Sequence, residues 1–138
     1  MAGYSGTPLL KKLGIKENFR LFIVNAPGNF QLQLGELPRN CQIITRLTKP
    51  LDFVIVFVDR SEALARRFSA LAKNLSKDGM IWIAWPKKSS KVPTDLSFEI
   101  VQRIGLQAGL VDVKICAVDE VWSGLKFVYR LKDRAGRV

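Results

Sequence analysis

The sequence predicts a three-layer α/β domain of Rossmann type, with a mostly parallel sheet of about six strands ending in an antiparallel hairpin. Three observations carry this. Residues 53–58 and 80–85 are unbroken apolar runs of six. Runs without alternation belong to strands covered on both faces, as in a parallel sheet between helices. Amphipathic stretches lie between the strand segments and supply the crossovers. The last two strand segments have no helix between them, so they pair antiparallel.

Each element has its own signal. Thr7, Pro8 and Gly14 bracket a short N-terminal helix as cap, first-turn residue and left-handed exit. Residues 20–24 are apolar and β-rich, and Asn25-Ala26-Pro27-Gly28-Asn29 breaks that strand. Residues 30–37 read as a weak helix and 42–46 as a short strand. Residues 51–58 are the strongest strand. Ser61 caps a helix to Leu75, with Leu64, Phe68, Leu71 and Leu75 as its apolar stripe. Lys77-Asp78-Gly79 reads as a turn before the strand at 80–85. Residues 86–93 are a polar loop, and its Trp85-Pro86 bond is one where a cis peptide can occur. Thr94 caps the next helix, with Asp95 in its first turn, Leu96, Ile100, Ile104 and Ala108 as its buried stripe and Gly109 as its stop. Residues 111–118 form a strand, Val121-Trp122-Ser123-Gly124 a turn, and residues 125–131 the last strand. The charged tail, 132–138, is expected to fray.

Composition bounds the class. The 138 residues suit one domain, and 48% are apolar, enough for an ordinary core. Neither apolar run approaches the roughly 20 residues of a membrane helix. The start has no charged-apolar-small order of a secretory signal, so a cytoplasmic protein is expected. Cys41 and Cys116 sit among apolar residues and are expected as buried, reduced thiols. The chain has no histidine. That excludes Ser-His and Cys-His nucleophiles, a histidine base and histidine metal ligation. The formal net charge is +10, which concentrates anions such as nucleic acid or acidic proteins at the surface.

Two resemblances follow from particular segments. Leu51-Asp52-Phe53-Val54-Ile55 and Leu71-Ala72-Lys73-Asn74-Leu75-Ser76-Lys77-Asp78-Gly79-Met80-Ile81 resemble the fourth- and fifth-strand segments of class I S-adenosylmethionine (SAM)-dependent methyltransferases. Gly3-Tyr4-Ser5-Gly6-Thr7-Pro8, Lys12-Leu13-Gly14-Ile15, Trp85-Pro86-Lys87-Lys88 and the stretch from Ala117 to Leu125 are similar to a bacterial domain-of-unknown-function family. The second resemblance implies a cytoplasmic bacterial protein and brings no activity with it. The first implies a shortened methyltransferase-like scaffold. Methyltransferases place a glycine-rich turn after the first strand and an acid after the second. Here the turn has one glycine and a proline, and the second position reads Ile44-Thr45-Arg46. The expectation is therefore that no cofactor is held, SAM included.

Ligands of open parallel sheets sit beyond the carboxyl ends of the strands. The segments expected there supply the ligand or anion candidates Asn25, Gly28, Arg60, Trp85, Lys87, Lys88, Ser89, Lys91, Asp119, Glu120 and Trp122. Lysines neutralise phosphate, hydroxyls bond its oxygens and a tryptophan face stacks a base. The bland alternatives are a solvated lysine loop with Trp85 in the core, an acid that only holds its turn, and Trp122 as a plug over the sheet. Arg130, Lys132, Arg134 and Arg137 would make a footprint with Lys11, Lys12 and Lys16 if they share a face. No residue is assigned as catalytic or metal-binding. The leading expectation is a non-catalytic module for nucleic acid or an acidic protein. One alternative is a divergent methyltransferase-like enzyme using a phosphorylated or nucleotide-like ligand. Another is a regulatory or assembly subunit, forming a homo-oligomer through the C-terminal strand edge.

Overall fold

A computed structural model describes residues 7–136. Its elements are α1 (Leu9–Leu13), β1 (Arg20–Val24), α2 (Phe30–Leu34), β2 (Gln42–Ile43), β3 (Leu51–Phe57), α3 (Ser61–Lys73), β4 (Leu75–Pro86), α4 (Phe98–Gln107), β5 (Leu110–Ala117) and β6 (Trp122–Tyr129). They build a six-stranded sheet in the order β2-β1-β3-β4-β6-β5. The strands from β2 to β4 are parallel, β6 is antiparallel to β4, and β5 is antiparallel to β6. The Rossmann-like sheet read from the sequence is the one formed. Gly3-Tyr4-Ser5-Gly6 and Arg137 lie outside the described residues.

The unbroken apolar strands have the predicted cause. In β3, Val54 and Val56 pack toward α3 and α4 with Leu64, Phe68, Leu71 and Val101. Phe53, Ile55 and Phe57 pack toward α1 and α2 with Leu13 and Phe30. Successive strand residues face opposite ways, so both sets must be apolar. Trp82, Phe30, Phe53, Phe68 and Phe127 are almost fully enclosed. Each such side chain contributes about 1.5–3 kcal/mol by leaving water. Trp82 also donates its indole N–H to the Leu13 carbonyl at 2.9 Å, tying α1 to the sheet.

Several boundaries differ from the sequence reading, each for a tertiary reason. β4 begins at Leu75, before the expected Lys77-Asp78-Gly79 turn, and the residues 76–79 bulge out of the β3–β4 register. Gly79 permits this, because a Cβ there would stand 2.7 Å from the Leu51 carbonyl. The N-cap of α4 is Ser97, whose side chain accepts the Ile100 N–H. Thr94, expected in that role, donates its hydroxyl to the Asp59 carbonyl at 2.7 Å. The hairpin turns at 118–121, three residues earlier than expected, and Trp122 to Gly124 lie in β6. Gly124 is needed in the strand: a Cβ would meet Val118 at 3.0 Å and Trp82 at 3.1 Å. The cis bond is Lys49-Pro50, and Trp85-Pro86 is not cis.

The expected tail begins as a 3-10 turn over Leu131–Asp133. Arg134 then donates to the Tyr129 carbonyl at 3.1 Å and lies 3.8 Å from Asp78. Cys41 and Cys116 are free and half-buried rather than fully enclosed. Among the described residues no helix is long and apolar enough to cross a membrane.

Candidate functional site

The parallel strands deliver β1, β2, β3 and β4 to the same end of the sheet, and the β5–β6 turn arrives beside them. Pro86 pairs with Trp122 across β4 and β6, and the Lys87 N–H donates to the Val121 carbonyl at 2.8 Å. The loops after β4 and β5 are therefore one unit. The loop after β3 joins it through the Thr94 hydroxyl and the Asp59 carbonyl. A second clasp lies beside it. Asp95 accepts the Ser61 backbone N–H and the Ser61 hydroxyl, each at 2.8 Å. Those two bonds, the backbone one first, hold the Asp95 carboxyl below the usual carboxylate range.

Asp119 is fully engaged in structure. Its Oδ1 accepts the N–H groups of both Val121 and Trp122 at 2.8 Å, which makes the turn. Its Oδ2 accepts from the Gln33 amide of α2 at 3.2 Å. Glu120 is exposed, and Asp119 alone builds the turn. Gln33 was not anticipated. Its Oε1 is buried with no hydrogen-bond partner among the described residues.

The other candidates divide by burial. Trp85 is only 5% exposed and belongs to the core under α3 and α4, so its face is not available for stacking. Trp122 packs edge-on against Phe57 at 5.1 Å, and Phe57 against Phe30 at 5.0 Å. This aromatic group closes the α2 side of the strand ends. Arg60 precedes α3 and is exposed. Lys88, Ser89 and Lys91 are exposed around a 3-10 turn, which Lys91 leaves in the left-handed conformation. Asn25 and the apolar ends of β1 and β2 form a different feature, a cleft.

That cleft measures about 460 Å³ and is lined by Ile23, Asn25, Gln31, Ile43, Ile44, Thr45 and Arg67, among others. Small-molecule sites commonly fall between about 300 and 1,000 Å³. Apolar walls from β1 and β2 meet two amides, one hydroxyl and one guanidinium. Of these, the sequence reading named only Asn25 as a ligand candidate, while Thr45 entered it as part of the stretch that lacks the acid after the second strand. Gln31 and Arg67 arrive from helices on opposite faces, which no local pattern reveals.

Asn25 changes the reading of the turn after β1. It has φ 58°, the left-handed conformation that glycine usually supplies and that asparagine tolerates best among the other residues. Gly28 has space around it, since a Cβ there would meet nothing within 4 Å. The backbone therefore turns sharply out of β1 and leaves an open approach, without a glycine-rich motif.

No family model matches the chain, and no curated protein matches it in sequence. Solved structures do match in fold. Magnesium protoporphyrin IX methyltransferase (ChlM) from Synechocystis PCC 6803 with bound SAM aligns over 88% of this chain and 74% of its own, at 12% identity and a TM-score of 0.56. Aeropyrum pernix fibrillarin with natively bound SAM aligns over 91% and 70%, at 15% identity and a TM-score of 0.57. A SAM-dependent methyltransferase from Aquifex aeolicus aligns over 86% of both chains, at 16% identity and a TM-score of 0.53.

These matches overturn the expectation that no cofactor is held. That expectation rested on the turn with one glycine and a proline and on Ile44-Thr45-Arg46 in place of the acid, yet structures sharing this fold hold SAM or its product S-adenosylhomocysteine (SAH). The turn after β1 takes the left-handed conformation through Asn25 rather than through a glycine. The chain has the Rossmann-like fold of class I SAM-dependent methyltransferases.

Proposed function

We propose that this chain is a divergent methyltransferase-type protein that holds SAM in the cleft at the carboxyl ends of β1 and β2. The observation that carries the reading is the left-handed Asn25 opening that cleft between α2 and β2. When bound, SAM supplies a methyl group activated on a sulfonium. The residues of the cleft suit its adenosyl part. Ile23, Ile43 and Ile44 offer apolar walls to a purine, and the amides of Asn25 and Gln31 and the Thr45 hydroxyl can bond ribose hydroxyls. No carboxylate lines the cleft, so neutral amides would take the place of the acid found in the methyltransferase pattern. Arg67 adds a cation at the rim, suited to a carboxylate. The segments that resemble a bacterial domain-of-unknown-function family speak for a cytoplasmic bacterial setting.

Titration calorimetry with SAM, SAH and ATP tests the reading. The expected result is saturation with SAM and SAH and at least tenfold weaker binding by the Ile43→Glu variant, whose site is half-exposed and tolerant. Absence of saturable heat with either adenosyl ligand at millimolar concentration overturns it.

A further inference from the structure

The opposite edge of the sheet carries a concentration of ammonium groups. Lys114 of β5 and Lys126 of β6 are direct partners in the antiparallel register. Residues so paired share a face, with Cβ atoms about 5 Å apart, and like charges there are destabilising. Lys126 Nζ reaches to 3.9 Å from where a Cβ on Gly14 would be, at the end of α1. Lys16 follows two residues later and is exposed. Folding accounts for part of this. Lys114 donates to the Lys12 carbonyl at 3.0 Å, and Lys12 donates to the Ala117 carbonyl at 2.6 Å. The carbonyls at the end of α1 thus engage Lys114 and leave Lys16 and Lys126 unexplained. The ion pairs among the described residues are Arg39–Glu17, Arg66–Glu62 and Arg134–Asp78, none with Lys16 or Lys126. Burial lowers the Lys126 pKa, and Lys114 and Lys16 lower it further. This electrostatic cost is what a bound anion would relieve.

We propose that this α1 side of the β5–β6 pair binds the phosphate backbone of a nucleic acid. Three features select that partner. The patch is built from ammonium groups, which neutralise phosphate as compact point charges. The chain's net charge of +10 adds long-range attraction to a polyanion. Among the described residues, the aromatic contacts include none with these lysines, so contact with backbone phosphates needs no reading of bases. The patch and the β1–β2 cleft lie at opposite edges of the sheet, so either proposal can fail without the other.

Fluorescence anisotropy of the whole chain with a labelled 20-nucleotide strand, in single-stranded and duplex form, tests this across a salt series. The wild type is expected to bind both forms, with affinity falling linearly in log salt. The double variant Lys16→Gln/Lys126→Gln is expected to bind about tenfold more weakly at low salt, with a slope smaller by about two. Lys16→Gln alone, at an exposed site, is expected to lower the slope by about one and guards against misfolding of the double variant. Arg103→Gln on α4, the opposite face, is expected to behave as wild type. No binding at low salt, or unchanged slopes in both lysine variants, overturns the proposal. Equal displacement of the strand by polyglutamate of matched charge also overturns it, in favour of an acidic protein partner.

Discussion

Asp95 clasps Ser61 with both carboxylate oxygens, one on the backbone N–H and one on the hydroxyl, at 2.8 Å each. A residue from the loop before α4 thereby satisfies an amide at the start of α3, which has no side-chain cap of its own. Helix N-termini favour negative charge, so the carboxylate is also electrostatically matched. The clasp locks the loops after β3 and β4 together.

The Asp95 carboxyl is held below its ordinary range, first by the Ser61 backbone N–H and then by its hydroxyl. A depressed folded-state pKa stabilises the fold above the unfolded-state pKa, near 4, and that stabilisation is lost as pH falls through the folded value. Asp95→Asn is therefore expected to lower Tm at pH 7 and to start converging on the wild type as pH falls below about 4, fully only below the folded-state value. Thermal melts followed by circular dichroism across that window check this. Parallel curves for the two proteins would show that the carboxylate charge does not matter there.

Gly105 lies on α4 against Phe127. A Cβ on Gly105 would stand 2.1 Å from the Phe127 ring. That ring is completely buried and packs edge-on to Phe68 at 5.4 Å, so it has nowhere to retreat. Replacing a helical glycine with alanine would by propensity gain about 1 kcal/mol. Overpacking costs about 1–3 kcal/mol, and a contact this short belongs at the upper end. Gly105→Ala is thus expected to be destabilised by about 2 kcal/mol net. Urea unfolding measures it, and a stabilised variant would refute the packing argument.

The sheet was legible in the sequence because burial on both faces writes itself as unbroken apolar runs, in residues 53–58 and 80–85. Glycines were read less well. Gly79 and Gly124 looked like turn residues, but each removes a side chain where another chain segment comes close. Caps were displaced where distant partners intervened, as when Asp59 drew Thr94 away from α4. The candidate loops at the ends of β4 and β5 do meet, yet their acid and tryptophan serve the fold: Asp119 builds its turn and Trp85 is core. The cleft was missed because Gln31, Thr45 and Arg67 meet only through tertiary structure. Asn25 did carry a local signal, an asparagine ending a strand, and its tolerance of left-handed backbone was the clue.

The thiols give a further check. Cys116 faces Lys12, Lys87 and Lys114, whose charges favour the thiolate, but burial outweighs them and raises its pKa. Thiolate is the reactive form. In a Cys41→Ser variant, the remaining Cys116 is expected to react with iodoacetamide at about pH 8 more slowly than a small free thiol and to accelerate as pH rises past about 9. Mass spectrometry of timed samples reads the rate. Reaction as fast as the free thiol would mean that the lysine charges prevail over burial.

Asn25 separates the backbone requirement from the chemistry of its side chain. At φ 58°, glycine fits without strain, whereas a β-branched residue is opposed by about 1–2 kcal/mol. Asn25→Gly is expected to keep near wild-type stability, and Asn25→Val to lose about 1–2 kcal/mol in urea unfolding. Asn25 is exposed, so lost packing contributes little to that difference. Calorimetry with SAM then divides the two roles. If the turn alone matters, Asn25→Gly binds as the wild type does. If the amide bonds the ligand, Asn25→Gly weakens binding by about five- to tenfold while stability is retained, the loss of one hydrogen bond. The arrangement of Asn25 and Gln31 around one cleft favours the second outcome. Equal affinity would assign ribose recognition to Gln31 and Thr45 alone.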